Sequence, residues 1–370
     1  MGLTGAYGMI FGRKNLLSIC FKALAAAAAF ILVFAALQRL VTPKYASYAI
    51  EGGLLREYYD SSMDHDVIFL GDCEVYANFS TVALWEEYGI NSYIRGSPQQ
   101  LIWHSYYLLE DTLRHAKTPP KVVVLSVMAM QYSEPQHEPY NRLALDGMAL
   151  SKTKIDAIRS SRMPDEDILS YVFPLLRYKD NWRDICLEDF QYFFKDPRVS
   201  INGFMVRSDT MPAGFIPAPL PRASYDFGEK PLEYLEKITN LCAENDIELV
   251  LIKAPVLYPH WFLQWDEQIL GFAEENNLIY INFLGYTDVI GLDYSKHTFN
   301  AGNHLNIFGA EVLSRYFGKI LTDELGLPDH RQNPVLVSIW NDLAREYYAL
   351  IDLQLSEIST HGEILTFLIK

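Results

Sequence analysis

The sequence predicts an α/β fold, a doubly wound and mostly parallel sheet, carrying an inserted cap and an N-terminal transmembrane helix. Three observations predict it. From residue 60 onward, short apolar runs closed by glycine or proline alternate with amphipathic stretches, the order expected of strand–helix units. The run Lys121 to Val127 (KVVVLSV) is almost continuously apolar, which marks a strand covered on both faces. Ahead of these units lies one long apolar segment, and no second run of that length follows it.

That segment, Leu16 to Leu37, carries Lys22 as its one charge and is long enough to cross a bilayer. Arg13 and Lys14 precede it, and Arg39 and Lys44 follow. The positive-inside rule therefore gives a cytoplasmic tail (1–15), an anchor (16–40) and an extracytoplasmic body. A signal peptide cleaved near Val33-Phe34-Ala35 and a buried helix are the alternatives.

In the body, Asp66 to Gly71 reads as a first strand and Ser80 to Tyr88 as a helix capped by Ser80 or Thr81. Asn91 to Gly96 is a second strand, Pro98 to Arg114 a helix, and Lys121 to Val127 a third strand. The alternation resumes with helix Leu232 to Asn245, strand Ile247 to Ile252, helix Trp261 to Asn276, strand Leu278 to Phe283 and helix Asn306 to Glu324. Between Met130 and Phe227 it fails. A structureless connection of that length is improbable in a compact domain, so residues 131–227 are expected to form an inserted cap over the sheet rim. The main domain spans 60–330. Residues 331–370 hold an amphipathic helix, Pro334 to Ile358, with Leu336, Trp340, Leu343, Tyr347 and Leu350 on one face. It is expected to dock on the domain, the membrane surface or a partner helix.

Composition bounds the function. Half of the 370 residues are hydrophobic, which excludes a disordered chain. A formal net charge of −15 and the lack of any basic block argue against a nucleic-acid partner. The four cysteines, Cys20, Cys73, Cys186 and Cys242, show no metal-ligand spacing, so no metal is expected, and no cofactor motif is present. Free, buried thiols are the expected state, with a Cys186–Cys242 bridge as the alternative.

The chemistry-bearing segments are Ile68-Phe69-Leu70-Gly71-Asp72-Cys73-Glu74, where a strand runs into a turn, and Asn300-Ala301-Gly302-Asn303-His304-Leu305-Asn306, just before the last helix of the main domain. On these residues the chain resembles the SGNH/GDSL hydrolase family, over roughly 60 to 325, including its membrane-anchored members in cell-envelope polysaccharide modification. The resemblance implies a nucleophile at Cys73, where the family carries serine, and a histidine at His304. It implies an oxyanion donor at Gly96 and a further donor that Ser126 or Gln131 would supply. The family's aspartate three residues before the histidine is replaced here by Ala301. Asn300 or Asn303 would then orient the imidazole, and a Cys73–His304–Asn300 set matches the logic of Cys-His-Asn sites, in which a side-chain carbonyl oxygen orients the imidazole. Asp72 is expected to shape the turn, Lys253 to be solvated, Arg95 to hold an anion or pair with an acid, and Glu74 to be an alternative base.

Two functions follow. One is an exported acyl-ester hydrolase or O-acyltransferase acting on a cell-surface glycan, beside a membrane-bound O-acyltransferase as the resemblance implies. The other is a catalytically degenerate protein that binds glycan or such a partner. A thiol redox role for Cys73 is a weaker third, since no resolving cysteine lies near it in sequence.

Overall fold

The computed structural model describes residues 4–42, 53–191, 193–194 and 198–369. The chain divides into two compact units: Met1–Pro43 with Leu169–Asp196, and Lys44–Ile168 with Pro197–Lys370.

The first unit is built on a helix, Thr4–Val41. Helical structure thus begins inside the segment expected to be a cytoplasmic tail. Its Ser18–Val41 portion, 24 residues, is long and apolar enough to span a membrane, and most of its side chains are exposed, Val41 at its end being buried. Short helices from residues 169–191 pack with it. Phe34 meets Phe173 edge to face, and Asn181 Nδ2 donates to Val41 O at 3.0 Å.

The second unit contains a five-stranded, wholly parallel sheet of order β2-β1-β3-β4-β5. The strands are β1 (Val67–Gly71), β2 (Ser92–Gly96), β3 (Val122–Ser126), β4 (Glu248–Lys253) and β5 (Ile279–Asn282), all at the positions read from sequence. β1, β2 and β3 are buried along their whole length, as the apolar runs of β1 and β3 require; β2 carries Ser92 and Arg95 into the interior. The edge strand β5 is half-buried. In one packed layer, helix Thr81–Tyr88 meets Ile307–Asp323 and Pro334–His361; in another, Ile102–His115 meets Lys152–Ser161 and Glu229–Glu244.

Two expectations are refined here. The 131–227 insert does not form one cap. Helix Lys152–Ser161 lies along Ile102–His115, residues 169–194 belong to the first unit, and Val199, Ile201, Phe204, Met205 and Val206 enter the sheet domain's core. The C-terminal helix docks on the sheet domain. Its Trp340 is fully buried and stacks on Trp85 at 5.2 Å, while Tyr347 donates its hydroxyl to Glu311. None of the four cysteines is in a disulfide; Cys242 is buried, but Cys20 and Cys186 are exposed rather than buried.

With order 2-1-3-4-5, the chain leaves β1 in one direction and β3 in the other. That reversal opens a crevice beyond the carboxyl ends of β1 and β3, where sheets of this kind bind ligands.

Candidate active site

Cys73 lies at that crevice. β1 ends at Gly71, whose φ of +151° suits glycine, and a Cβ there would stand 2.7 Å from the Ser126 Cβ. Asp72 then caps a short helix, Cys73–Tyr76, its Oδ1 accepting from the Glu74 N–H at 3.0 Å. This is the turn-shaping role expected of it. Cys73, the first residue of the helix, is half-buried. Gly96 faces Gly71 across the β1–β2 pair, and a Cβ there would lie 2.9 Å from a Val75 methyl. Glycine at 96 therefore lets the helix settle against the strand end.

Beneath the turn lies a cluster that the sequence reading misjudged. Lys253 is fully buried, not solvated, and its Nζ donates to Glu74 Oε1 at 2.6 Å and to Ala254 O at 2.8 Å. Glu74 Oε2 accepts from Ser126 Oγ at 3.1 Å and from the Ala254 N–H at 3.2 Å. One carboxylate thus joins the carboxyl ends of β1, β3 and β4. Ser126, expected as a binding donor, has its hydroxyl committed to Glu74, and Glu74 is held by an ammonium that a free base would lack. Gln131, the other stand-in donor, spends its Nε2 on Met128 O. Burial, with the Glu74 carboxylate close by, pushes Asp72 up to about 7. Tyr132 stands near both Asp72 and Cys73, and burial first and those two groups next push its hydroxyl upward.

His304 sits in the loop before helix Ile307–Asp323. A Thr298–Leu305 bridge closes this loop, and Gly302 N–H donates to Thr298 Oγ1 at 2.8 Å. Ala301 occupies the turn at φ +59° with its side chain in solvent, so position 301 does not serve the imidazole. Asn300, four residues before the histidine, does. Its Oδ1 accepts from the His304 backbone N–H at 2.7 Å, and its Nδ2 lies 2.6 Å from His304 Nδ1. The ring stacks on Phe299 at 5.5 Å, and the Arg207 guanidinium covers that same phenyl ring. Burial, with Arg207 adding, holds His304 down to about 4. Asn303 enters through its backbone, donating to Asn300 O at 3.3 Å.

A hydrogen bond between described residues ties the two segments. Asn78, just beyond the Cys73 helix and fully buried, accepts the Leu305 N–H on Oδ1 at 2.7 Å. The 207–213 stretch of the insert also borders the His304 loop, since Met211 and Ala301 exchange backbone bonds with Thr298 and Met211. Arg95 pairs with Asp111 at 2.8 Å, both wholly buried, so it is a structural cation. A cavity of about 230 Å³ lined by Glu57, Tyr93, Arg198 and Ser200 lies toward the amino-terminal end of β2, away from Cys73. Among the described residues, no group of three or more His, Cys, Asp or Glu side chains could hold a metal ion.

No protein-family model matches this chain, and no curated protein sequence matches it. Among solved structures, it is similar to a protein assigned to the G-D-S-L lipolytic family from Desulfitobacterium hafniense. The two share 12% identity and a TM-score of 0.34, over 69% of this chain and 98% of that one. The α/β assignment itself rests on strand order and register.

Proposed function

We propose that this chain is a membrane-anchored, SGNH-type acyl-ester hydrolase or O-acyltransferase of the cell surface, with Cys73 as nucleophile and His304 as its polar partner. One observation carries the reading. Cys73 opens the turn after β1 at the reversal point of the sheet, and Asn78 fastens the His304 loop to the end of that same turn. In the reaction, the thiolate would take an acyl group as a thioester while backbone N–H groups at Cys73 and Gly96 hold the oxyanion. Water or a glycan hydroxyl would then accept the acyl group. The apolar Ser18–Val41 helix supports a single-pass anchor with the sheet domain outside the cytoplasm. A membrane-bound O-acyltransferase is the partner this arrangement would serve.

The full chain in detergent should release acyl groups from p-nitrophenyl acetate, and Cys73→Ala should return the rate to that of buffer. Equal rates for the two proteins across acetyl, propionyl and butyryl esters would remove the covalent role.

The second reading, a catalytically degenerate site that binds glycan or the membrane partner, is favoured by one contact. Asn300 meets the imidazole with its amide nitrogen, not with the carbonyl oxygen that a Cys-His-Asn set uses. That reading predicts glycan binding or co-purification with a membrane complex that survives Cys73→Ala.

A further inference from the structure

The two Asn300 bonds decide which imidazole nitrogen of His304 carries the proton. An amide nitrogen donates and cannot accept, so the 2.6 Å contact makes Nδ1 the acceptor. Amide orientation is ordinarily assigned from the surrounding bonds. Here the backbone settles it: with the amide turned over, Nδ2 would face the His304 N–H, donor against donor, in place of the 2.7 Å bond to Oδ1. A neutral imidazole that accepts at Nδ1 carries its hydrogen on Nε2.

We propose that Asn300 is a positioning residue that fixes His304 as a hydrogen-bond donor at Nε2, so that His304 is not the general base and the site favours a nucleophile that ionises more readily than a hydroxyl. The proposal rests on the reading of Cys73 and His304 as an acyl-transfer pair. It makes the two departures from the family pattern, cysteine at 73 and the loss of the aspartate at 301 with Asn300 beside the ring instead, a single arrangement. A serine hydroxyl must hand its proton to a base as it attacks. A thiol of ordinary pKa, ~8.5, is already a few per cent thiolate near neutral pH. Burial keeps His304 neutral in that range, so its Nε2–H is present as a donor.

The steps balance without proton transfer to the histidine. The thiol proton leaves to water. The thiolate forms a C–S bond to the ester carbonyl carbon as the C–O bond to the alcohol breaks, and the departing alkoxide takes a proton from water. The Nε2–H donates a hydrogen bond to negative charge in the crevice and retains its proton throughout. Water or an acceptor hydroxyl then attacks the thioester, the C–S bond breaks, and the thiolate is regenerated as the attacking oxygen loses its proton to solvent.

The test uses the full chain in detergent micelles with 15N-labelled histidine. The ring signals of His304 are identified by their loss in His304→Gln. Nitrogen–proton correlation spectra should show hydrogen on Nε2 in the wild type and on Nδ1 in Asn300→Asp, because a carboxylate accepts from the ring while still accepting the His304 N–H. A thermal melt of Asn300→Asp close to wild type shows that the loop is intact. Hydrogen on Nδ1 in the wild-type protein overturns the proposal, whatever the esterase result. Ester turnover supplies the second arm. Cys73→Ser should be inert, and Cys73→Ser/Asn300→Asp should regain about 100-fold, the scale of general-base catalysis. Cys73→Ser alone matching wild type would also overturn it. If every protein is inert while the spectra show the tautomer switch, the catalytic reading fails and the positioning by Asn300 stands.

Discussion

The Glu74–Lys253 pair under the Cys73 turn and the Arg95–Asp111 pair beside β2 are both withdrawn from solvent, yet they are built differently. Arg95 is enclosed on every side. It donates to Asp111 Oδ2, Leu108 O and Thr112 Oγ1, and it lies 4.1 Å over the Tyr58 ring. One permanent cation meets one carboxylate there, and guanidinium does not shed its proton in proteins. At the crevice, one ammonium faces two buried carboxylates, Glu74 and Asp72, and burial with that crowding drives Asp72 up to about 7. The first pair fixes the chain; the second fixes three strand ends and keeps a neighbouring carboxyl, Asp72, protonated well above the ordinary carboxylate range.

The largest effect comes from breaking each pair. Lys253→Met and Asp111→Ala should each cost about 3–5 kcal/mol in urea unfolding at pH 7, because each leaves a buried charge alone. Their pH responses should then part. A buried carboxyl can shed its charge by binding a proton, so the deficit of Lys253→Met relative to wild type should shrink on acidification to pH 5. Arg95 has no such route, and the deficit of Asp111→Ala persists. Parallel behaviour of the two variants would erase the distinction between the pairs.

The same contrast shows what the sequence discloses. All five strands were legible because each needs only local pattern, a run of β-branched or aliphatic residues closed by glycine, proline or a polar turn, as in IELVLI before Ala254-Pro255. The turn role of Asp72 was legible for the same local reason. Lys253 was misread because a lysine at a strand end carries no mark of burial; its partner Glu74 is 179 residues away in sequence. Asn78 was not singled out, and Asn306 was read only as the start of a helix. Both are fully buried amides whose partners lie in other segments, Leu305 for the first, and Asp209, Thr210 and Lys296 for the second. An asparagine next to a strand or helix reads as a cap, and Asn306 is one as well, accepting from the Gly309 N–H. Asn300 was picked out beside His304, but which of its amide atoms meets the ring depends on a backbone bond that spacing does not reveal.

A smaller effect sharpens the crevice side of the comparison. The carboxyl of Asp72 is held near 7 in the folded chain against an ordinary value of 3.8. The folded state therefore keeps a proton that the unfolded chain loses, and stability falls as pH rises from about 4 through about 7. Asp72→Asn retains the oxygen that caps Glu74 and cannot ionise. It should flatten this slope, with a gain of about 4 kcal/mol at pH 8 and less than half of that at pH 5. Histidine runs the other way: His304, held down to about 4, costs stability as pH falls below 6.5. A measured slope at pH 5–8 unchanged by Asp72→Asn would place the excess proton elsewhere in the cluster.

The smallest change in stability is expected where the two chemical segments meet. Asn78→Ala removes the acceptor for the Leu305 N–H, a single buried neutral bond, and should cost about 1 kcal/mol. Its effect on ester turnover should be larger than that cost suggests. The bond joins the loop to the segment after the Cys73 helix, while Thr298 to Gly302 and Asn300 to His304 hold the loop's own shape and Met211 and Leu257 hold it to other segments. The loop would keep its shape and its outer fastenings and shift only against the Cys73 helix. Displacement by about 1 Å is enough to cost on the order of 100-fold in a site that works by alignment. A fall in turnover at saturating ester with the melt nearly unchanged would mark Asn78 as the residue that sets the distance between thiol and imidazole. Loss of stability and activity in proportion would reduce it to one more buried hydrogen bond, no different in kind from those around Arg95.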